Sequence, residues 1–310
     1  MNTDTSYDTT AVDVVGTGFI TLDVIYEDGN RAAEALGGSC GNVLISLAQL
    51  NRSVAPVVKL GLDDVGGFLE EEFRHAGAVT KYISRSADIG SPVLLQEVET
   101  ANGRHNFSFT ARGSDARFPR YSAIETTHTS AARGLIQSCV VFYTDRLTET
   151  IADAMEMAWT SGAMVFFEPS EIEDAKLFRR AMQYVSILKC SEERISSWDD
   201  APVGDHALTI VTHGALGLQL RQGSQSMWCD AMPAPRLVDT SGSGDMVSVG
   251  LIDWLVSHKQ ARFVWNMAEM AAGVRAGQLL AATNCAYLGA RGVFNAIGVD
   301  GVRRLLAGSN

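Results

Sequence analysis

Residues 239–245 read Asp-Thr-Ser-Gly-Ser-Gly-Asp, and Val247, Leu251, Trp254 and Leu255 follow on one face at helical spacing. The segment therefore opens a helix, expected over residues 245–257. Its small residues let the backbone turn sharply and approach a ligand closely. The N–H groups of Gly242, Ser243 and Gly244 then stand at a helix N-terminus, where the dipole favours an anion. Asp245 has two readings there. It serves the first helical turn as a capping acid, or it takes the proton of an attacking hydroxyl while the amides hold charge on a transferring phosphoryl group.

Outward from this segment the chain alternates. Short apolar runs at 139–143, 163–167, 185–189 and 208–212 read as strands, with helical patterns at 149–161, 176–184 and 192–198 between them. A hairpin through Gly223 follows, and a second long helix is expected over 262–282. Upstream, strands at 11–16, 22–26 and 54–60 accompany helices at 42–51 and 66–76. This order predicts one doubly wound α/β domain over residues 1–310, with a mostly parallel sheet covered by helices on both faces. Segments 92–99 and 104–110 alternate like strands around Asn102-Gly103, with no helix between them, and predict a separate hairpin.

The bulk numbers agree. The chain has 310 residues, 46% of them hydrophobic and 20% charged, enough for one large core. A net charge of −11 disfavours nucleic acid as a partner, while leaving room for a small anion held by backbone amides. The five cysteines form no C-x-x-C pair, which fits free thiols in a reducing cytosol. No signal peptide and no apolar run long enough to span a membrane is present, so a cytoplasmic location is expected. The six histidines lack ligand spacing for a metal.

Two further glycine segments stand where ligands are commonly held. Residues 37–42 (GGSCGN) precede a helix; they make either a tight turn or a surface that hydrogen-bonds a polyol through Gly38 and Asn42. Residues 212–217 (THGALG) follow a strand, at the end of an α/β sheet where ligands bind. The plain reading of that loop is a hairpin turn. Its His213 faces either adenine or water, and water is the simpler expectation.

Together the three segments resemble the signatures of the ribokinase-like (PfkB) carbohydrate kinases. Residues 37–42 look like the glycine-rich N-terminal signature, 239–245 like the C-terminal one and 212–217 like the nucleotide loop. Residues 18–23, 61–67 (GLDDVGG) and 289–292 (GARG) agree, and the likeness spans about residues 12–300. The resemblance implies ATP-dependent phosphorylation of a hydroxyl on a sugar or sugar-derived small molecule. It makes Asp245 the general base and Gly242, Ser243 and Gly244 the anion hole. Asp23, Gly38 and Asn42 would hold the substrate, and Thr212, Gly214 and Gly217, with Ser191 and Asn284, would lie along ATP. Mg²⁺ would travel with the phosphates, with Glu192 or Glu193 serving its water shell. Asp239 and Ser241 match part of the family's site for a monovalent cation such as K⁺. Residues of about 20–36 and 91–112 would form a small antiparallel β lid, which in the family often pairs with a second subunit's lid in a homodimer. Arg104 and Arg112 lie in or beside it, reaching a phosphate already on the substrate or guarding an edge as solvated charges.

Two departures qualify the resemblance. Where the family commonly has Asn-x-x-Glu, this chain reads Ser191-Glu192-Glu193-Arg194. Where many sugar kinases have Asp-x-Asn-x-Arg, it reads Glu168-Pro169-Ser170-Glu171-Ile172, without the arginine, which argues against fructose- or ketodeoxygluconate-like specificity. Three alternatives stay in view: a nucleoside kinase of the same fold, a catalytically silent sugar- or nucleotide-binding regulator, and a dinucleotide-dependent oxidoreductase. The last rests on Gly16-Thr-Gly18, a partial G-x-G-x-x-G that requires a strand-to-helix turn.

Overall fold

A computed structural model of the chain describes residues 11–99, 104–195, 206–258 and 266–308. In chain order its first half contains β1 (Val14–Thr17), β2 (Thr21–Glu27), β3 (Asn30–Gly37), α1 (Ser39–Gln49), β4 (Val54–Pro56), β5 (Val58–Gly61), α2 (Asp64–His75), β6 (Ile83–Ser86), β7 (Val93–Glu99) and β8 (Arg104–Ser108). The second half contains α3 (Thr126–Ala131), α4 (Arg133–Ser138), β9 (Val141–Thr144), α5 (Glu149–Thr160), β10 (Met164–Phe167), α6 (Ala175–Ala181), β11 (Ile187–Ser191), α7 (Glu192–Ile195) and β12 (Leu208–Thr212). It ends with β13 (Gly217–Gln222), β14 (Gln225–Asp230), α8 (Ser243–Ser257), α9 (Met267–Asn284) and α10 (Gly292–Ala307).

The main sheet runs β14-β13-β12-β11-β10-β9-β1-β4. From β4 to β12 every pairing is parallel, and β13 and β14 add an antiparallel hairpin at one edge. Successive residues of a strand face opposite sides, so apolar neighbours feed two cores. Val14, Tyr143 and Phe166 join the core shared with α1, α8 and α9. Their neighbours Val15, Phe142 and Phe167 join the core shared with α4, α5 and α6. Helices thus cover both faces, as the alternation predicts.

A second sheet has the order β3-β2-β7-β8 and is built from the two segments expected to form it. It corrects the expectation in one respect, because it is mixed and not purely antiparallel. β2 pairs β3, and β7 pairs β8, antiparallel; β2 and β7 are parallel. The reason is the path between them. The chain leaves β3 through α1 to β6 before returning as β7, and so long a crossover permits a parallel pair. The turn expected at Asn102-Gly103 lies outside the described residues.

Other boundaries moved for local reasons. The run at 54–60 divides after Pro56: Val57 N–H still donates to Gly16 O at 2.8 Å, and the chain then leaves the edge of the main sheet. β5 then pairs β6 in a separate two-stranded sheet. Residue 18 leads into β2 and not into a helix, so the strand-to-helix turn of a dinucleotide fingerprint is absent. Asp63 accepts from Gly66 N at 2.7 Å to cap α2 and from Ser91 N at 2.7 Å, tying the 61–67 motif to the start of β7.

Candidate active site

The start of α8 is a built turn. Gly242 is left-handed at φ 68°, and a Cβ there would stand 2.5 Å from Ala290 Cβ, so the position requires glycine. Ser243 N–H donates to Thr240 O at 3.2 Å, whereas the Gly242 and Gly244 amides have no protein acceptor among the described residues. Two of the three expected amides are therefore free for an anion. Asp239 holds the loop in place: its Oδ1 accepts from Ser241 N at 2.6 Å and its Oδ2 from Gly289 N at 2.7 Å.

Asp245 follows in the first turn of α8 and is buried. Its Oδ2 accepts from Asn42 Nδ2 at 2.8 Å, across 203 residues of sequence. Burial, reinforced by the Glu168 charge, pushes its carboxyl up to about 7, while Asn42 and Lys189 act the other way. Asn42 itself is set by the glycine turn, its N–H donating to Gly38 O at 2.8 Å. Gly38 has φ 81°, and a Cβ there would lie 2.5 Å from Phe19 O.

Asp23, on β2, completes this side. Gln96 of β7 donates its Nε2 to Asp23 Oδ2 at 2.6 Å. Burial raises the Asp23 carboxyl to about 8, with the Arg291 guanidinium opposing and the Asp245 charge adding to the rise. Three acceptors in this group, Asp23 Oδ1, Asn42 Oδ1 and Gln96 Oε1, are buried without a hydrogen-bond partner. Buried polar atoms are normally paired, so three orphans beside one carboxylate leave a place suited to a polar ligand with several hydroxyls.

Beneath the amides lies a buried ion pair that sequence reasoning missed. Lys189, in the middle of β11 and 2% exposed, pairs with Glu168 at the end of β10. Glu168 Oε2 also accepts from Ser248 Oγ at 2.6 Å and Tyr143 Oη at 3.2 Å. A Cβ on Gly244 would stand 3.7 Å from Lys189 Nζ and 3.9 Å from Glu168 Oε1, so the pair sits against the anion loop. The signal was a lysine inside an otherwise apolar strand, since buried lysine is rare without a partner.

On the other side of α8 a cleft of ≈ 680 Å³ brings Thr212, Gly214, Gly217, Ser243 and Gly244 together with α9 residues Gln278 and Ala281. Gly217 has φ 135°, a conformation that excludes a side chain. His213 is not directed to water: its Nδ1 pairs with Glu192 at 2.8 Å, and its ring lies 5.1 Å from that of Trp228.

With this geometry in place, the comparisons with known proteins are direct. The family model described as pfkB family carbohydrate kinase matches residues 6–295. The chain belongs to that family. Aminoimidazole riboside kinase of Salmonella typhimurium is 27% identical over 262 residues, covering 76% of this pfkB kinase and 78% of the relative. A fructokinase of Vibrio alginolyticus is 22% identical over 78% of this chain and 83% of its own. Among solved structures, fructokinase with bound ATP from Xylella fastidiosa superposes with a TM-score of 0.77 at 18% identity, covering 96% of this chain and 98% of that one. The Salmonella enterica aminoimidazole riboside kinase, complexed with its riboside and an ATP analog, gives 0.72 at 20% identity over 94% and 99%. These likenesses show the ribokinase-type fold.

Several expected residues of this pfkB kinase lie apart from the cluster. Asn284 is fully buried. Its Nδ2 donates to the carbonyls of Ser241, Gly289 and Ala290 at 3.4, 3.3 and 3.2 Å, and its Oδ1 accepts from Val293 N. It therefore pins the loops and does not line the cleft beside Thr212 and Gly217. Ser191 Oγ accepts from Arg194 N at 3.4 Å, and Glu193 is exposed; neither lines the cleft. Arg112 stacks 4.7 Å from the Tyr26 ring and donates to Gly29 O, which is the edge-charge arrangement. The side chain of Arg104 lies outside the described residues. An arginine does reach the 168–172 loop, from the neighbouring strand end: Arg146 donates to Ser170 Oγ.

No group of three or more His, Cys, Asp or Glu side chains is arranged for a metal among the described residues. Both Asp239 oxygens accept amide protons, and three converging carbonyls are filled by the Asn284 amide.

Proposed function

We propose that this pfkB-family kinase transfers the γ-phosphoryl group of ATP to a hydroxyl of a sugar or sugar-derived acceptor, with Asp245 as the general base. The observation that carries the reading is the buried Asp245 carboxylate, poised between free α8 amides and the orphaned acceptors of Asp23, Asn42 and Gln96. Those acceptors take hydroxyl protons of the acceptor and orient one hydroxyl at Asp245. Asn42 fixes the rotamer of the base. As the oxygen attacks, Asp245 takes its proton, and the Gly242 and Gly244 amides oppose the charge gathering on the phosphoryl oxygens. Mg²⁺, held with the phosphates, would neutralise further charge. The small sheet supplies Asp23 and Gln96, so we read it as the lid that screens the site from water. A silent binding protein has no use for a base with a carboxyl raised toward neutrality.

The pH profile tests this directly. Only deprotonated Asp245 takes the proton, and only deprotonated Asp23 accepts from the bound hydroxyls, so kcat/KM is expected to be level above a pH of about 8, to fall about tenfold per unit from there to about 7, and to fall more steeply below. A profile flat down to pH 5 would remove Asp245 from the role.

Cation dependence gives a second test. With the Asn284 amide in the carbonyl cage, exchanging K⁺ for tetramethylammonium is expected to change kcat by less than about twofold. Asn284→Ala, which empties the cage, is expected to make turnover respond to K⁺. A wild-type enzyme that loses most activity without K⁺ would contradict the arrangement.

A further inference from the structure

Glu168 opens the Glu-Pro-Ser-Glu-Ile segment and has no part in the transfer described above. Its buried carboxylate stands at the end of β10, and both oxygens are engaged. Oε1 takes the Lys189 ammonium from β11. Oε2 takes Tyr143 Oη from β9 at 3.2 Å and Ser248 Oγ from α8 at 2.6 Å. Three adjacent strands and α8 thus meet at one carboxylate. Replacing a whole buried ion pair by neutral or apolar side chains is often no less stable, so stability alone gives no reason for a charge here.

The reason lies along α8. Ser248 follows Asp245 by three residues, and side chains so spaced are neighbours on a helix face. Glu168 therefore grips α8 one turn behind the base. After burial, its charge does most to raise the Asp245 carboxyl, and Lys189 acts against it. Asp145, directly after β9, adds to the rise, and Asp23 faces Asp245 from β2. Cys40 of α1 and Tyr143 are pushed well up by burial and stay neutral. Asp145 and Asp23 are tied elsewhere, to Phe19 N and Arg146 and to Gln96. Among these described carboxylates, Glu168 is the one bonded both to α8 and to a buried cation.

We propose that Glu168 is a positioning residue for phosphoryl transfer, tying the first turns of α8 to the strand ends and keeping a fixed negative charge behind Asp245. Two neighbouring carboxylates compete for one proton, and their surroundings decide which receives it. The Glu168 charge is matched by the Lys189 ammonium. Asp245 is matched by the neutral Asn42 amide, so the proton goes there. In the step itself the acceptor O–H breaks and its proton passes to Asp245. The freed oxygen bonds to phosphorus as the bond to the departing ADP oxygen breaks. Glu168 takes no proton and touches no reactant. The proposal rests on the reading of Asp245 as the base of a kinase.

Carbon-13 NMR of the full chain, labelled at the aspartate carboxyl carbons, follows the titration of Asp245 without turnover. Its signal is the one lost in Asp245→Asn. Removing a neighbouring negative charge eases ionisation, so the midpoint is expected to fall. The fall is about one pH unit or more in Glu168→Gln, where the Lys189 charge remains. It is smaller, but at least about half a unit, in the double variant Glu168→Gln, Lys189→Met, which carries the test if the single variant unfolds. Transfer is lost as pH falls through the Asp245 midpoint. The acid limb of kcat, at saturating ATP and acceptor so that binding at Asp23 no longer limits, is therefore expected to move to lower pH in the same order. A purely structural part for Glu168 would lower the melting temperature and leave both titrations in place; unmoved midpoints overturn the proposal. A fallen NMR midpoint in a protein that forms no phosphate ester with any acceptor, or whose kcat limb stays put, overturns the kinase or base reading instead.

Discussion

Replacing Asp245 by Asn is expected to lower kcat by about 10²-fold or more while ATP affinity stays within a few-fold of wild type. The split follows from where the residue sits. Asp245 bonds Asn42 at 2.8 Å, on the side we propose for the acceptor, whereas the cleft we propose for the nucleotide is lined by Thr212, Gly214 and Gly217. Asn keeps the size of the side chain and a partner for Asn42 but cannot take a proton. The loss therefore belongs to the chemical step, and KM for the acceptor should move little. Single-turnover transfer with saturating ATP measures it. A variant that turns over within threefold of wild type would mean that the proton leaves by another route.

The second large effect concerns the ion pair under the anion loop. Lys189→Ala leaves Glu168 buried and unpaired beside Ser248 and Tyr143. Breaking a buried pair on one side costs about 3–5 kcal/mol, because the charge that stays behind has lost both water and partner. At roughly 2–4 °C per kcal/mol for a chain of this order of size, the melting midpoint should fall by about 6–20 °C. The double variant Lys189→Met, Glu168→Gln removes both charges and should recover at least half of that loss, since an apolar or neutral replacement of a whole pair costs far less than its disruption. Thermal unfolding of the three proteins at one pH decides it. Equal midpoints for the single variant and wild type would show that Lys189 and Glu168 do not form a buried pair in solution.

Local signals carried much of this molecule. The DTSGSGD segment, with glycine where φ is positive and an acid in the first helical turn, announces the turn before any fold is known, while the role of its acid is legible only through resemblance. Apolar strand runs such as 139–143 and 163–167 announce the parallel sheet. The parts that stayed hidden are those assembled over distance. Gln96 reads as one polar residue in a lid strand, and only the parallel pairing of β2 with β7 brings it to Asp23. Arg291 reads as part of a glycine turn, yet it donates to Leu36 O and lies in the field of Asp23. β3 was expected only as lid and not as a strand, because its first five residues are exposed and carry no apolar alternation. Asn284 was assigned to the nucleotide by resemblance, and the structure uses it to hold three carbonyls together.

The central claim is acceptor-dependent phosphoryl transfer, and transfer of label from [γ-³²P]ATP measures it most directly. Purified protein with Mg²⁺ would be given ketoses, aldoses, sugar acids, sugar phosphates, nucleosides and aryl glycosides. The expected result is a labelled phosphate ester with one class of acceptor, formed by the wild type and lost in Asp245→Asn. A protein that binds no ATP, or an ester formed equally well by Asp245→Asn, would contradict the account.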